Sequence, residues 1–375
     1  MTGWHKLWTW VKEHRKLVFV IGKIVVGGGL IVFVGHRLLQ DWQGVSGSIS
    51  NAFGHYPHYL LLGLAAFIGV YIIGNIRWLL LLWPHGVHLS FWAASKLWFI
   101  GHFFAQYMPG GIAGGDLIKS YYVATHRKAT GRRAEAVSTV FLDRLLGITG
   151  LLGVLLIAVI INLQQSVHYQ QFWPYAAALF GAVVLVILLL FNKPLVKKIP
   201  LVMRLYTRLP YQDRVKRVYE AFHFYRSRPL ELAAAFGLSL AVHTCTALEA
   251  YLFGSALGLP YTFPEYMLLL SLANVMGSIP VSPVGNVGTL EAACIGFFGQ
   301  GSEELGALAL ALAILIRIAY LLWGIPGLLL YVTHRKEIPH EPAEETVEVI
   351  EHDETAPQTG PQPARPQIKE APADD

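Results

Sequence analysis

The sequence is poor in charge and in cysteine. Only 14% of its 375 residues are Asp, Glu, Lys or Arg, against roughly 25% in a soluble domain, and 54% are hydrophobic. That balance argues against a water-soluble globule. The two cysteines, Cys245 and Cys294, both fall in apolar stretches and offer neither a disulfide framework nor a CxxC metal or redox pair. Signatures of catalysis are missing too: there is no HExxH, no GxSxG and no Walker sequence. The expectation is therefore a non-enzyme with no cofactor, no metal site and no nucleic-acid partner.

What is present is apolar length. Runs of 18 residues or more recur from Leu17 to Val332, each able to cross a hydrocarbon core of about 30 Å at about 1.5 Å rise per residue. Full spans are expected at about 17–39, 59–83, 135–163, 174–192, 230–257 and 304–332. The stretch before the first has no small-residue cleavage site after its apolar run, so 17–39 is expected to be retained. Residues 337–375 hold 11 of the 24 acidic residues, two basic ones and seven prolines, and are expected to be a disordered acidic tail after a membrane domain of residues 1–336.

Without that tail the body carries 27 Lys and Arg against 13 Asp and Glu. Its cations cluster at Lys6–Lys16, Arg127–Arg133, Lys193–Arg228 and Arg335–Lys336, whereas the loops 40–58, 164–171 and 258–263 have none. Basic loops stay cytoplasmic. The alternation places both termini in the cytoplasm, and an inner cell membrane is the expected location. Segment 193–229 also has Val215, Val218, Tyr219, Phe222 and Tyr225 at helical spacing among basic residues, the pattern of an amphipathic helix on an anionic leaflet. A plain topology signal remains the alternative there.

Two further apolar regions, 91–125 and 264–300, are broken in the middle by Pro and Gly. Each fits best as a re-entrant helical hairpin, irregular backbone at membrane depth being tolerated only inside protein or beside a polar cavity. The first contains Pro109-Gly110-Gly111-Ile112-Ala113-Gly114, then Asp116, with Arg144 35 residues after the proline. The second contains Pro283-Val284-Gly285-Asn286-Val287-Gly288, then Glu291, with Arg317 34 residues after its proline. Both read P-x-G-x-x-G, an acid, and an arginine in the next span. The fold class expected is thus an all-α polytopic membrane protein with six full spans and two re-entrant hairpins, arranged as inverted-topology repeats at about 59–163 and 230–332. Eight ordinary crossings with kinks are the alternative.

Within each hairpin the second helix should start near Ile112 and near Asn286, where free N–H groups and the dipole could hold an anion. Gly110, Gly111, Gly114, Gly285 and Gly288 would admit a phosphate to the backbone, or else serve only close helix packing. Arg144 and Arg317, inside spans, each need compensation of at least about 2.5 kcal/mol, and Asp116, Asp143, Glu249 and Glu291 are the carboxylates available. A structural ion pair is one outcome; an arginine that exchanges its carboxylate for a lipid phosphate is the other. Lys23, Arg77 and Lys96 are expected to snorkel at the cytoplasmic boundary, and His102 and His243 to be hydrogen-bonded core residues. Ala113-Gly114-Gly115-Asp116 with Asp143 brings to mind an intramembrane aspartyl protease, but Ala113 stands where that pattern needs glycine.

Over about residues 15–335 the chain resembles the membrane domain of lysylphosphatidylglycerol synthase and its stand-alone, flippase-like relatives. The resemblance is carried by Pro109–Lys119 (PGGIAGGDLIK), Asp143-Arg144, Pro280–Glu291 (PVSPVGNVGTLE) and Arg317. The family usually has Gly-Glu-x-x-Arg where this chain has Gly115-Asp116-Leu117-Ile118-Lys119, and Pro-Gly-Gly where it has Val284 in the middle. The resemblance implies lipid translocation between leaflets, or handling of lipid-linked sugars. It makes Asp116, Lys119, Asp143, Arg144, Glu291 and Arg317, with the hairpin glycines, the expected contacts of an anionic phospholipid or lipid-linked sugar. Bifunctional members add a soluble aminoacyltransferase domain, whereas 39 tail residues follow here, so aminoacyl transfer is not expected. A non-transporting partner or scaffold for a cell-envelope glycosyltransferase or lipid synthase is the second reading. Oligomeric state is left open.

Overall fold

An apolar chain away from water must satisfy its backbone N–H and C=O groups within its own segment, and the helix does this. The computed structural model describes residues 15–108, 111–126, 129–162, 174, 177–182, 184–185, 224–278 and 287–333, and every regular element among them is helical. We number the α-helices α1 (Arg15–Gln40), α2 (Trp42–His55), α3 (Pro57–Leu82), α4 (Phe91–Tyr107), α5 (Gly111–Thr125), α6 (Arg133–Asn162), α7 (Pro229–Leu257), α8 (Phe263–Gly277), α9 (Thr289–Phe298) and α10 (Glu303–Thr333). Short 3-10 turns at Trp83–His85 and Tyr225–Ser227 extend α3 and precede α7.

Four of these helices are long and apolar enough to cross a membrane: Pro57–His85, Arg133–Asn162, Pro229–Leu257 and Glu303–Thr333. They coincide with the spans expected at 59–83, 135–163, 230–257 and 304–332. The span expected at 17–39 falls within α1, where Val25–Gln40 form an apolar helical stretch among the described side chains. The span at 174–192, most of the basic segment 193–229, Pro109 and Gly110, the turn from 279 to 286 and the tail lie largely or wholly outside the described residues. One expectation is corrected: the cation-free stretch 40–58 is not a loop. It forms α2, because Val45 and Ala52, seven residues apart, bury one face against the protein.

The helix ends explain the breaks between elements. Ser90 caps α4 by accepting from Ala93 N at 3.2 Å, and Thr262 closes a capping box at α8, its own N–H donating to Glu265 Oε2 at 2.8 Å. Helix α9 starts at Thr289, three residues later than expected, and its entry is closed by Gly288 N donating to Glu291 Oε2 at 2.8 Å. Gly288 has φ of +86°, and a Cβ there would press on the backbone of Leu30 and Ile31 in α1. Only glycine suits both demands.

Packing joins the two halves of the chain. Helices α3 and α7 run antiparallel: Gly63 lies against the Phe253 ring, Gly69 against Cys245 and Arg77 against Ser239. The first helix of each broken pair leans on the closing span of the other half, α4 on α10 and α8 on α6. In the first contact Gly324 and Gly327 admit Tyr107, Phe103 and Phe99, and Tyr107 Oη donates to Leu321 O at 2.8 Å. In the second, Asn162 Nδ2 donates to Pro264 O at 2.9 Å. This exchange brings α4, α5 and α8 to the middle of the protein, beside α3, α6 and α7.

Candidate functional site

A cavity of about 340 Å³ opens at that meeting point, at the lower end of the roughly 300–1,000 Å³ typical of small-molecule sites. Its polar wall comes from seven helices: Arg77 of α3, His102 and Gln106 of α4, Asp116 and Lys119 of α5, Asp143 and Arg144 of α6, His243 and Thr246 of α7, Asn274 of α8 with Ser278 just after it, and Tyr320 of α10. Apolar side chains, among them Phe67, Trp98 and Leu151, supply the rest.

The group at the centre of the buried cluster is Asp143, which holds two cations at once. Arg77 Nε donates to Asp143 Oδ1 at 2.8 Å, and Lys119 Nζ lies 3.8 Å from Asp143 Oδ2. Arg77 Nη1 also donates to Ser239 Oγ at 2.9 Å, so the guanidinium ties α3 to both α6 and α7. Lys119 Nζ sits 3.7 Å from the centre of the Trp78 ring, a cation–π contact that replaces part of its lost hydration. These groups are buried, their side chains between 8% and 13% exposed.

Nearer the opening the pairing is looser. Arg144 Nε stands 3.6 Å from Asp116 Oδ2, with side chains 39% and 30% exposed. Three cations and two carboxylates make the wall net positive by one charge among the described residues. The histidines add none by pairing with acids: His102 Nε2 donates to Tyr320 O at 3.0 Å and His243 Nε2 to Gly147 O at 2.9 Å, as expected of core histidines. Close approach of α4 and α5 sets this geometry. A Cβ on Gly115 would run into the carbonyl oxygen of Gly101, so glycine at 115 is what lets Asp116 and Lys119 reach α6.

The expected site residues divide four ways. Asp116, Lys119, Asp143 and Arg144 converge on the cavity. Gly288, Glu291 and Arg317 form a separate cluster, with Arg317 Nε donating to Glu291 Oε1 at 2.8 Å. Since Glu291 also bonds Gly288 N, the α9 entry is filled by the helix's own carboxylate. Gly111 and Gly114 are not part of the described cavity lining, and Gly110 and Gly285 lie outside the described residues.

Arg77 needs correction. It does not snorkel to a boundary but is buried at 8% exposure, because Asp143 and Ser239 offer partners inside. Its sequence signal was its place before Trp78–Leu82, a full turn short of the end of the apolar run. Glu249 compensates neither Arg144 nor Arg317; the carboxylates that do are Asp116 and Glu291. Gln106, Ser239, Asn274 and Ser278 carried no signal, being ordinary small polar residues in apolar helices. Of the basic segment, Tyr225 is described: it is buried, and its hydroxyl donates to Leu81 O. No group of three or more His, Cys, Asp or Glu suited to a metal occurs among the described residues.

A family model described as the lysylphosphatidylglycerol synthase TM region matches residues 20–327. No curated protein matches the chain.

Proposed function

The chain belongs to the lysylphosphatidylglycerol synthase TM region family, and from that premise we propose that this multi-pass membrane protein moves an anionic phospholipid or a polyprenyl-phosphate-linked lipid between leaflets. The observation that carries the reading is the net positive cavity, with its loosely held Arg144–Asp116 pair at the opening and its tightly held Arg77–Asp143–Lys119 group within. A lipid phosphate arriving at Arg144 meets a guanidinium whose carboxylate is 3.6 Å away, longer than the roughly 2.7–2.9 Å of a strong charge-assisted bond. It can take over those donors while Asp116 turns to Lys119 or to water. The inner group keeps the positive field in place through the exchange.

The antiparallel register of α3 and α7, and the reciprocal leaning of α4 on α10 and α8 on α6, support inverted repeats with a re-entrant hairpin in each, while the six full spans rest on the apolar runs of the sequence. The loop charges support cytoplasmic termini. The chain acts as a carrier and not a catalyst. A polar cavity, where a packed dry interface could have stood, favours transport over a scaffold role.

The test is a leaflet-exposure assay in proteoliposomes with headgroup-labelled phosphatidylglycerol, comparing the wild type with Arg144→Gln and with protein-free vesicles. Loss of translocation in Arg144→Gln, with unchanged elution on size exclusion, is the expected result. Equal rates in all three would remove the transport reading and put the scaffold reading first.

A further inference from the structure

Glu249 sits in the middle of α7, 1% exposed, and among the described residues neither of its carboxyl oxygens has a hydrogen-bond partner. It shares one helix face with Cys245 and Phe253, four residues to either side, and that face packs against α3 between Gly63 and Gly69. The next turn of α7 toward the cavity carries Thr246, which lines it, and so does Tyr320 of α10. The carboxyl therefore lies about one helical turn behind the cavity wall.

Among the described residues its surroundings contain no cation paired with it. Of the ionisable groups on α10, Tyr320 lines the cavity, and Arg317, one turn away, is held by Glu291. Between Gly63 and Gly69 α3 has Leu64, Ala65, Ala66, Phe67 and Ile68, and from Leu151 to Ile161 α6 has no titratable residue. Tyr266 of α8 packs on Tyr251 and Gly254, and α2 has only His55, at its exposed end. Cys245 is the titratable neighbour on α7 itself. An ionised carboxylate with no partner is among the costliest groups to hold here, whereas the protonated acid is a small dipole.

A structural duty does not account for it. Asn75 stands 34 residues before Pro109, as Glu249 stands 34 before Pro283. Asn75 anchors the start of α4, its Nδ2 donating to Ser95 Oγ at 2.9 Å and to Phe91 O at 3.2 Å. Glu249, at the matching place in the second half, anchors nothing among the described residues.

We propose that Glu249 is a proton-binding site behind the cavity, carrying a proton while buried and releasing it to water when the cavity rearranges, so that lipid movement is coupled to a proton gradient. The proton leaves a carboxyl oxygen of Glu249 for water admitted past Thr246 and Tyr320, and returns from the opposite aqueous phase. This coupling rests on the transport reading; the protonated state of Glu249 does not.

Two measurements separate them. In vesicles of phosphatidylethanolamine and phosphatidylglycerol with labelled phosphatidylglycerol, one proton per lipid predicts about a tenfold shift in the transbilayer lipid ratio per imposed pH unit. Glu249→Gln should instead equilibrate the label evenly, whatever the gradient. Infrared difference spectra of the same proteins at neutral pH should show a protonated-carboxyl C=O band in the wild type that Glu249→Gln removes; Glu249→Met serves if the glutamine variant fails to fold. A wild-type ratio that ignores the gradient, or a Glu249→Gln ratio that follows it, overturns the coupling. A wild type that moves no lipid removes both the transport reading and the coupling, and the infrared band then decides alone whether Glu249 binds a proton.

Discussion

Replacing Asp143 by Asn tests the electrostatic account of the cavity most directly. The change keeps size and removes one charge, leaving Arg77 and Lys119 buried without the carboxylate that lies 2.8 and 3.8 Å from them. At an effective dielectric constant of about 20, those separations correspond to about 6 and about 4 kcal/mol of attraction. Desolvation of the three groups offsets much of this, and removing one member of such a buried cluster typically costs about 3–5 kcal/mol. The looser pair at the opening behaves differently. With side chains 39% and 30% exposed and a separation of 3.6 Å, Asp116→Asn should cost no more than about 1 kcal/mol. Thermal unfolding of the two variants in one detergent, followed by size exclusion after heating, compares them. Added salt should shrink the Asp116→Asn effect and leave that of Asp143→Asn nearly intact, because solvent ions screen exposed pairs far more than buried ones. Equal and small losses in both variants would refute the claim that Asp143 is the structural hub of the site.

Two further predictions concern packing and capping. Gly115→Leu should destabilise the protein by at least about 1–3 kcal/mol through overpacking against Gly101 and, by pushing α5 off α4, should weaken phosphatidylglycerol binding measured by native mass spectrometry, whereas Gly237→Ala, at a site with open space, should change neither. Glu291→Gln should lower the unfolding temperature by an amount close to that of Asp143→Asn, since it leaves Arg317 without its carboxylate while the amide oxygen can still accept from Gly288 N.

Much of the architecture was legible because it follows from local patterns. The four long apolar helices, the Pro/Gly breaks and the acid-then-arginine spacing are properties of consecutive residues, so α3, α6, α7 and α10 fall where hydropathy puts them. Asp116 with Arg144, and Glu291 with Arg317, also pair as two of the available choices allowed. Residues 40–58 give no helical signal in the sequence because a polar helix with only Val45 and Ala52 buried has too weak a stripe to register against its glycines and serines.

What the sequence alone determined is that these segments are helical, that the long apolar ones can span a bilayer, and that several charges must find compensation away from water. Which charge meets which partner is a matter of three-dimensional approach. Arg77 is separated by 66 residues from Asp143 and by 162 from Ser239, and only the crossing of α3, α6 and α7 turns a residue fit for a membrane boundary into the brace of a cavity. The same crossing leaves Glu249 with none of the carboxylate's ordinary partners among the described residues. Burial and pairing depend on what other helices bring to a point in space, and no local pattern carries that information.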